Sequence, residues 1–415
     1  MIPAIRGTHD ILPGDVEKWQ YVERLARESC ERYGYVEIRT PIIEREELFA
    51  KGTGESTDIV QKEMYAFTDK GGERVTLRPE ATPSMVRAYI AHNLEHTMAA
   101  AKLYAMGPMF RYERPQKGRY RQFHQLDVEV FGMQDPAVDA EVIDLAWAFV
   151  SELGISQAEL VINSVGCSAC RPAFQAALLA ALGDNLGRLC GDCQRRSKTN
   201  PLRIYDCKVP ADQPIIDGLP HSVDLLCEAC ATHFEGVKSH LDAIGIPWRL
   251  SHRLVRGLDY YVRTTFEILG QALGAQNALL GGGRYDGLVK QLGGADRAGI
   301  GFAAGLERLV LALPDSAPIA APARAFVVAI GDDGRAAAWR LLRELRMAGL
   351  PAQMELEARG VRAQMKRADR LAARVTLIVG GDELARGEVT LRDMATGEQR
   401  AIARDSVVAA VRELL

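Results

Sequence analysis

A segment rich in proline and alanine divides the chain into two parts with different patterns. This segment, 313–323, has the sequence LPDSAPIAAPA. Proline lacks a backbone N–H and alanine has little apolar surface to bury, so the composition is typical of a connection between folded regions. Before it, short predicted strands and helices follow without strict alternation; after it, they alternate regularly. The sequence therefore predicts two folded regions joined by a linker over 314–323.

The size and composition of the chain are those of a globular protein with several domains. It has 415 residues, of which 47% are hydrophobic and 25% charged, and its net charge is −3. A chain of this length is too long for one ordinary core. Because the net charge is small, any nucleic-acid surface must be local. No apolar run approaches about 18 residues and the N-terminus lacks a cationic start, so we expect no membrane span and no signal peptide.

The region before the linker is expected to be α+β and built on an antiparallel or mixed sheet with helices on one face. Its predicted strands are 36–43, 65–67, 75–77, 101–110, 122–131, 248–254 and 260–268, and its predicted helices are 15–33, 83–91 and 139–153. Between 167 and 247 the pattern changes to helices, at 173–182 and 221–243. Since strand-like residues resume after this stretch, it is interpreted as a mostly helical insertion.

The region after the linker is expected to be a small α/β domain. Strands are predicted at 325–330, 352–355 and 375–379 with further strands beyond, and helices at 334–348, 361–372 and 405–414. This alternation favours a parallel sheet. The middle of the domain is basic, with Arg340, Arg343, Arg346, Arg359, Arg362, Lys366, Arg367, Arg370 and Arg374. Solvated helix faces and a contact with RNA phosphates both explain these cations.

The cysteines are concentrated in the insertion. Cys30 stands apart, and the other seven are Cys167, Cys170, Cys190, Cys193, Cys207, Cys227 and Cys230. Two of the three C-x-x-C pairs could supply four thiolates to a structural zinc, and this possibility stays open. Two observations argue against zinc: the spans between the pairs are irregular, and Cys207 is single and has no role in such a site. They favour reduced, buried thiols that act as small hydrophobes. We therefore assign no metal ligand from the sequence.

The run 110–129 combines cations, carboxylates and aromatic side chains around one turn, 114–118, which contains a proline and a glycine. Strand alternation would put Arg111 and Glu113 on one face of the first strand. On the second strand, one face would carry Phe123, Gln125, Asp127 and Glu129. Such a surface offers cations to phosphate, a ring to a base and carboxylates to an amine or imidazole. The alternative is a charged, solvated hairpin.

Two other segments offer an arginine beside glycine. The chain has no Gly-Lys dipeptide, which excludes a Walker P-loop. The segment 299–310 is predicted as a strand that enters a helix, where Arg308 could face a phosphate. In 254–261, Arg256 adjoins a glycine and two tyrosines. A surface pair between Arg256 and Asp259 is the structural alternative for that segment.

Taken in order, these segments resemble the signature motifs of class II aminoacyl-tRNA synthetases. The segments similar to motifs 1, 2 and 3 are 34–49, 110–129 and 299–309. The blocks 254–261 and 280–287 are similar to the pair that is peculiar to the histidyl-tRNA synthetase family, as are 7–13 and 76–83. The resemblance covers nearly the whole chain, and the ordered set is far more specific than any single motif.

The resemblance implies an activity and an architecture. The chain would activate L-histidine with ATP, accompanied by Mg²⁺, and transfer the histidyl group to the 3′ end of tRNA(His). It would be a cytoplasmic homodimer without membrane association. The expected catalytic domain comprises 1–166 and 248–313, interrupted by a cysteine-rich helical insertion at 167–247. The segment 324–415 would be the α/β anticodon-binding domain.

The resemblance also implies roles for individual residues. The catalytic residues would be Arg256, across the α-phosphate where other class II enzymes use a metal, and Arg111. The expected ATP-binding residues are Arg111, Glu113, Arg119, Phe123 and Arg308. The expected histidine-binding residues are Glu80, Thr82, Arg111, Gln125, Glu129, Arg256, Tyr260 and Tyr261. Gln116 would contact the acceptor end of the tRNA.

Two positions depart from the family pattern, since Ala81 stands where glycine is usual and Asp127 where many relatives carry a smaller residue. A rival interpretation is the regulatory subunit of ATP phosphoribosyltransferase, a histidine-sensing relative without catalysis. Such a subunit should lack the C-terminal domain and the ATP-binding arginines, whereas both are present here. A zinc-dependent nucleic-acid binder would leave the arginines unexplained.

Overall fold

The computed structural model divides the chain into two compact units, Met1–Ala317 and Pro318–Leu415. The described residues are 2–55, 57–98, 100–271, 277–319 and 324–415. Part of the predicted linker, 320–323, lies outside them. Among the helices of the described residues, none is long and apolar enough to cross a bilayer.

The first unit contains eleven of the strands and most of the helices in the described chain. Its strands are β1 (Val36–Glu37), β2 (Ile43–Arg45), β3 (Tyr65–Thr68), β4 (Arg74–Leu77), β5 (Ala101–Phe110), β6 (Gln122–Phe131), β7 (Ala158–Ser164), β8 (Trp248–Leu250), β9 (Val262–Gly270), β10 (Ala278–Arg284) and β11 (Gly299–Gly305). Its α-helices are α1 (Val16–Arg32), α2 (Glu46–Thr53), α3 (Thr82–Ala91), α4 (Leu94–Thr97), α5 (Pro136–Glu152), α6 (Arg171–Leu182), α7 (Gly191–Thr199), α8 (Gln213–Asp217), α9 (Glu228–Ala243), α10 (Leu288–Gln291) and α11 (Leu306–Ala312). A π-helical turn spans Ile59–Glu63, and 3-10 turns span Gly183–Arg188, Pro201–Asp206, Pro210–Asp212 and Ser222–Leu225.

An eight-stranded sheet in the order β1-β5-β6-β11-β10-β9-β7-β8 is the centre of this unit. Neighbouring strands from β5 to β7 are antiparallel, while β1 and β8 pair in parallel at the two edges. A smaller antiparallel sheet has the order β2-β4-β3. The predicted α+β fold on an antiparallel sheet is therefore confirmed. The strands β7 and β10 were not predicted.

A buried charge network ties this sheet to two helices. Arg284 at the end of β10 donates through Nε to Asp139 of α5 at 3.0 Å, and His233 of α9 contacts the other oxygen of Asp139 at 2.9 Å. Arg284 and Asp139 have no exposed side-chain surface. Since a buried charge is costly without a partner, the network fixes β10 against both helices.

The stretch from 165 to 247 is described throughout and contains helices and turns but no strand. The helix predicted at 221–243 is shorter than expected: a 3-10 turn at Ser222–Leu225 precedes α9, which begins at Glu228. Phe174, Leu178 and Ile204 belong to a small apolar cluster of this insertion. Its helices range from the five residues of α8 to the sixteen residues of α9.

The second unit is an α/β domain with a mixed sheet. Its elements are β12 (Ala325–Ala329), α12 (Gly331–Met347), β13 (Ala352–Met354), α13 (Val361–Arg370), β14 (Val375–Val379), α14 (Gly381–Ala385), β15 (Glu388–Asp393), β16 (Gln399–Ala403), a 3-10 turn at Arg404–Ser406 and α15 (Val407–Leu414). The order is β13-β12-β14-β15-β16. The predicted parallel pairing is correct for β12, β13 and β14, but wrong for β15 and β16, which form an antiparallel hairpin. The short connection between these two strands permits only antiparallel pairing.

Candidate active site

A cavity of about 910 Å³ lies in the first unit and is lined by residues of β6, β9, β10 and β11. Of the site residues predicted from the sequence, those that line it are Glu80, Thr82, Arg111, Glu113, Arg119, Phe123, Gln125, Glu129, Arg256, Tyr260, Tyr261 and Arg308. Gln116 does not line it and is exposed on the hairpin loop. Residues from distant parts of the chain thus converge on one chamber.

Glycines on two neighbouring strands make room for the charged side chains. Gly301 of β11 pairs with Glu129 of β6, and a Cβ at Gly301 would lie 1.9 Å from Glu129 Oε2. A Cβ at Gly281 of β10 would lie 2.5 Å from Arg256 Nη1. These distances are far below van der Waals contact, so any side chain there would displace the charged group. Glycine is required at both positions because of these side chains, which the sequence analysis did not foresee.

Two buried carboxylates in the cavity are held by hydroxyl groups. Glu80 accepts from Thr53 Oγ1 at 2.5 Å and from Tyr260 OH at 2.9 Å. Glu129 accepts from Thr82 Oγ1 at 2.5 Å and also from the hydroxyl of Tyr285. Such pairing orients each carboxylate and leaves the rest of its acceptor capacity directed at the chamber.

Burial changes the protonation of these acids. It raises the pKa of Glu80, and it raises the pKa of Glu129 to about 8 although its hydroxyl partners oppose the shift. Burial also raises the pKa of Asp127 to about 8, against the opposing charge of Arg78. A cluster of desolvated carboxyls favours a ligand that brings positive charge or N–H donors.

The cavity also carries arginines that are held by hydrogen bonds to backbone carbonyls. Arg111 donates through Nε to the carbonyl of Pro79 at 2.8 Å, and its guanidinium lies 5.3 Å from the centre of the Phe123 ring. Arg308 donates to the carbonyls of Gly118 at 3.2 Å and Ala278 at 2.8 Å. Guanidinium groups held in this way can bind phosphate or carboxylate without first being ordered.

Arg256 also lines the cavity and is held by a carboxylate. It forms an ion pair with Glu267 and lies 5.8 Å from the centre of the Tyr261 ring. Burial opposes its charge, but Glu267 and the neighbouring tyrosines raise the pKa of Arg256 above its ordinary value. The alternative pairing with Asp259 was wrong, since Asp259 accepts from Asn200 Nδ2 at 2.7 Å instead. Arg256 therefore stays charged inside the cavity.

The hairpin that carries much of this site differs from the prediction in one respect. Its first strand ends at Phe110, so the prediction that Arg111 and Glu113 share a strand face was wrong. Beyond the strand, the Arg111 N–H still donates to the carbonyl of Arg121 at 2.9 Å, whereas the Tyr112 N–H donates to the carbonyl of Glu63 at 2.7 Å. Both residues still line the cavity. Glu113 forms an ion pair with Arg119, which the sequence analysis did not foresee.

The sequence analysis missed Thr53, Glu267 and Tyr285. A signal existed for two of them. Glu267 is a carboxylate between the apolar residues Phe266 and Ile268 of a strand, and Tyr285 lies in the quoted block 280–287, where no role was given to it. Thr53, at the end of α2, had no such signal because only the tertiary fold brings it to Glu80.

The cysteines of the insertion form two groups that could each hold a metal ion. One contains Cys167, Cys170, Cys227 and Cys230, and the other contains Cys190, Cys193, Cys207 and Asp212. Cys207, to which the sequence analysis gave no role, lies in the second group, which Asp212 completes. Cys207 of the second group also lines the cavity described above.

Comparison with known families gives two matches. A model described as histidyl-tRNA synthetase matches residues 7–181 and 220–309, and a model described as an anticodon binding domain matches residues 324–414. Together these cover most of the chain, apart from a stretch inside the insertion and the linker.

Individual relatives match over nearly their full length. A histidine–tRNA ligase of Desulforamulus reducens is 50% identical over 97% of both chains, and one of Geobacter sulfurreducens is 49% identical over 96% of both. The crystal structure of apo S. aureus histidyl-tRNA synthetase is 39% identical, covers 99% of this chain and 100% of its own, and superposes with a TM-score of 0.84.

Proposed function

The chain belongs to the histidyl-tRNA synthetase family, and from this we infer that it activates L-histidine with ATP and transfers the histidyl group to the 3′ end of tRNA(His). One observation carries the inference: Arg111, Arg256 and Arg308 line the same cavity as the buried Glu80 and Glu129. Cations suit the phosphates of ATP, and the desolvated carboxyls suit the nitrogen atoms of histidine.

In the activation step, an oxygen of the histidine carboxylate forms a bond to the α-phosphorus. The bond from that phosphorus to the oxygen bridging the β-phosphate breaks, and pyrophosphate leaves with the electron pair. Because charge builds on the oxygens of the α-phosphate, fixed cations lower the barrier. We assign this role to Arg256, oriented by Glu267, and assign Arg111 to the α-phosphate and the amino-acid carboxylate.

The nucleotide would lie along the motif 2 hairpin. Phe123 would stack on the adenine ring, and Glu113 would accept from its amino group. Arg119 and Arg308 would hold the outer phosphates, which requires Arg119 to exchange its ion pair with Glu113 for a phosphate. Mg²⁺ would enter with ATP, bound by phosphate oxygens, and the carboxylates that line the cavity are oxygen ligands of the type it accepts.

Histidine would occupy the carboxylate side. Glu80, Thr82 and Gln125 would surround its amino and carboxylate groups, while Glu129 and Tyr260 would face the two imidazole nitrogens and Tyr261 would close the pocket. In support, Gln125 Oε1 is buried and has no hydrogen-bond partner among the described residues. A ligand N–H would satisfy it. An apolar amino acid would leave these polar groups unpaired and should be rejected strongly.

The assembly and the tRNA contacts follow from surface features. Val36, Ile42 and Ile43 of motif 1 are 49%, 40% and 53% exposed, which supports burial of this segment between the two copies of a homodimer.

Gln116, exposed on the hairpin loop, would meet the acceptor end of the tRNA, and the second unit would bind the anticodon end. We place the enzyme in the cytoplasm, where its tRNA is found.

The direct test is transfer of labelled L-histidine to tRNA by the purified protein in the presence of ATP and Mg²⁺. We expect histidyl-tRNA to form and label from other amino acids not to be transferred. The rival regulatory subunit would bind histidine without charging tRNA. Histidine binding without any charging would therefore contradict the proposal.

A further inference from the structure

Four cysteine sulfurs meet where the insertion begins and ends. Cys167, Cys170, Cys227 and Cys230 have their Sγ atoms within 4.8 Å of one another. The distance from Cys167 Sγ is 3.8 Å to Cys170 Sγ and 3.9 Å to Cys227 Sγ. Cys170 and Cys230 are buried, and all four thiols are free. Residues about sixty positions apart in the chain are thus brought together by their side chains.

A second group lies inside the insertion. The sulfurs of Cys190 and Cys207 are 3.9 Å apart, and Asp212 Oδ2 lies 3.2 Å from Cys207 Sγ. Cys193 is completely buried, and Asp212 is 2% exposed. Asp212 also accepts from the Cys190 N–H at 3.0 Å, which holds its carboxylate against the cysteines.

The distances fit a tetrahedral metal centre. A Zn²⁺ ion with Zn–S bonds of about 2.3 Å places neighbouring sulfurs about 3.8 Å apart. The sulfur–sulfur separations of 3.8 and 3.9 Å in the structure agree with this value in both groups. Each group also has four ligands, which is the number found in closed, structural zinc sites. Both groups therefore match zinc in ligand type, number and spacing.

The backbone around the sulfurs is arranged to support bound thiolates. Cys170 and Cys227 directly precede α6 and α9, and Cys190 directly precedes α7, so three sulfur ligands lie at helix N-termini, where negative charge is stabilised. The Cys227 N–H donates to Cys170 Sγ at 3.1 Å, and the Val209 N–H donates to Cys207 Sγ at 3.4 Å. Hydrogen bonds of this kind orient metal ligands.

We propose that the insertion binds two structural Zn²⁺ ions, one held by Cys167, Cys170, Cys227 and Cys230 and one held by Cys190, Cys193, Cys207 and Asp212. The first joins the N-termini of α6 and α9, the helices that open and close the insertion. The second joins α7 to the turns on either side of Cys207. Metal ions that cross-link separate parts of the chain stabilise a region of this size.

The second site also bears on the active cavity. Cys207 and Arg203 line that cavity, and Arg203 donates through Nη1 to the carbonyl of Gly257 at 2.9 Å, directly beside Arg256. The zinc that holds Cys207 would therefore keep the 3-10 turn Pro201–Asp206 in place against the segment that carries Arg256. These ions would act on position, not on the reacting atoms.

The test is metal analysis of the full-length protein, purified without chelators or a metal-affinity tag. We expect two equivalents of zinc per chain. After replacement by Co²⁺, we expect the visible absorption bands of tetrahedral, thiolate-bound cobalt. Less than about 0.2 equivalents from cells grown with zinc, or one iron per group in its place, would overturn the proposal.

Single variants assign each ion to its group. Cys170→Ser and Cys193→Ser should each lose one equivalent, while Cys30→Ala, which removes the buried cysteine outside both groups, should keep two. If a variant fails to fold, zinc can instead be released stepwise from the intact protein with a thiol-modifying reagent. A coloured chelator then measures the released zinc, and we expect two equivalents per chain. If the intact protein holds only about one equivalent of zinc, one of the two groups is empty. The empty group is the one whose cysteine variant keeps the same zinc content as the intact protein, and its assignment is then overturned.

Discussion

At the scale of single residues, the cavity gives its carboxyls unequal support. Glu80 and Glu129 each accept from two hydroxyl groups. Asp127 Oδ2 is buried without a hydrogen-bond partner among the described residues. Asp127 is also one of the two positions at which the sequence departs from the family pattern. Its charge is therefore the least stabilised in the ligand-free site.

This predicts how the stability of the ligand-free protein depends on pH. The pKa of Asp127 is raised from 3.8 to about 8 by burial. Between these values the folded protein holds a proton that the unfolded chain releases, so stability falls as pH rises. Asp127→Asn removes this loss and should raise the free energy of unfolding by at least about 1 kcal/mol near pH 8, with a smaller gain near pH 5.

Urea denaturation at the two pH values measures the effect of Asp127→Asn, and Asp10→Asn, which changes an exposed aspartate, is the control. Equal gains at both pH values would contradict the pKa shift. A loss of stability near pH 8 would mean that ionised Asp127 has a partner in solution.

At the scale of elements, glycines in β10 and β11 are what allow charged side chains to lie over a sheet. We expect Gly301→Ala to abolish activity or to destabilise the protein by about 1–3 kcal/mol or more, because its Cβ would overlap Glu129 and the Val128 carbonyl. Gly287→Ala, where a Cβ meets nothing within 4 Å, is the matched control. Thermal unfolding and histidine affinity measure both variants, and a fully active, stable Gly301→Ala would refute the steric argument.

The elements that were predicted well are those whose own sequence determines them. The strands β5 and β6 have the predicted bounds because alternation, turn residues and length agree there. In contrast, β10 is rich in glycine, which has little preference for strands, and it forms through its pairing with β9 and β11. The 3-10 turn at Ser222–Leu225 is separate from α9, whose N-cap is Cys227, and helical periodicity alone does not reveal this break.

The site was predictable in its membership but not in its contacts. The resemblance named residues that all line one cavity apart from Gln116, since motif residues can be matched one by one. The pairing of Arg256 with Glu267 and the hydrogen bond from Thr53 to Glu80 join residues through the tertiary fold. Such contacts cannot be inferred from spacing along the chain.

At the scale of the whole molecule, charge on the second unit should affect tRNA and not the chemistry of activation. Arg362, Lys366 and Arg370 are exposed on α13 at helical spacing, and within the described chain none of them forms an ion pair. We expect Arg362→Glu combined with Lys366→Glu to raise the KM for tRNA at least about tenfold, because phosphate contacts are lost. The difference in KM between the variant and the unchanged protein should grow as the salt concentration falls.

The same double variant should leave histidine-dependent pyrophosphate exchange unchanged, since that reaction needs no tRNA. Arg24→Glu, an exposed substitution on α1, is the charge-reversal control in the first unit. Unchanged tRNA kinetics in the double variant would place the RNA contact elsewhere on this domain.

The most direct test of the central claim is exchange of labelled pyrophosphate into ATP. The account predicts exchange that depends on L-histidine, falls about 10²–10³-fold in Arg256→Ala, and persists in Arg249→Ala, which breaks a surface ion pair with Glu159 instead. No exchange by the intact protein would contradict the activity. Full exchange by Arg256→Ala would contradict the role assigned to the arginine in the cavity.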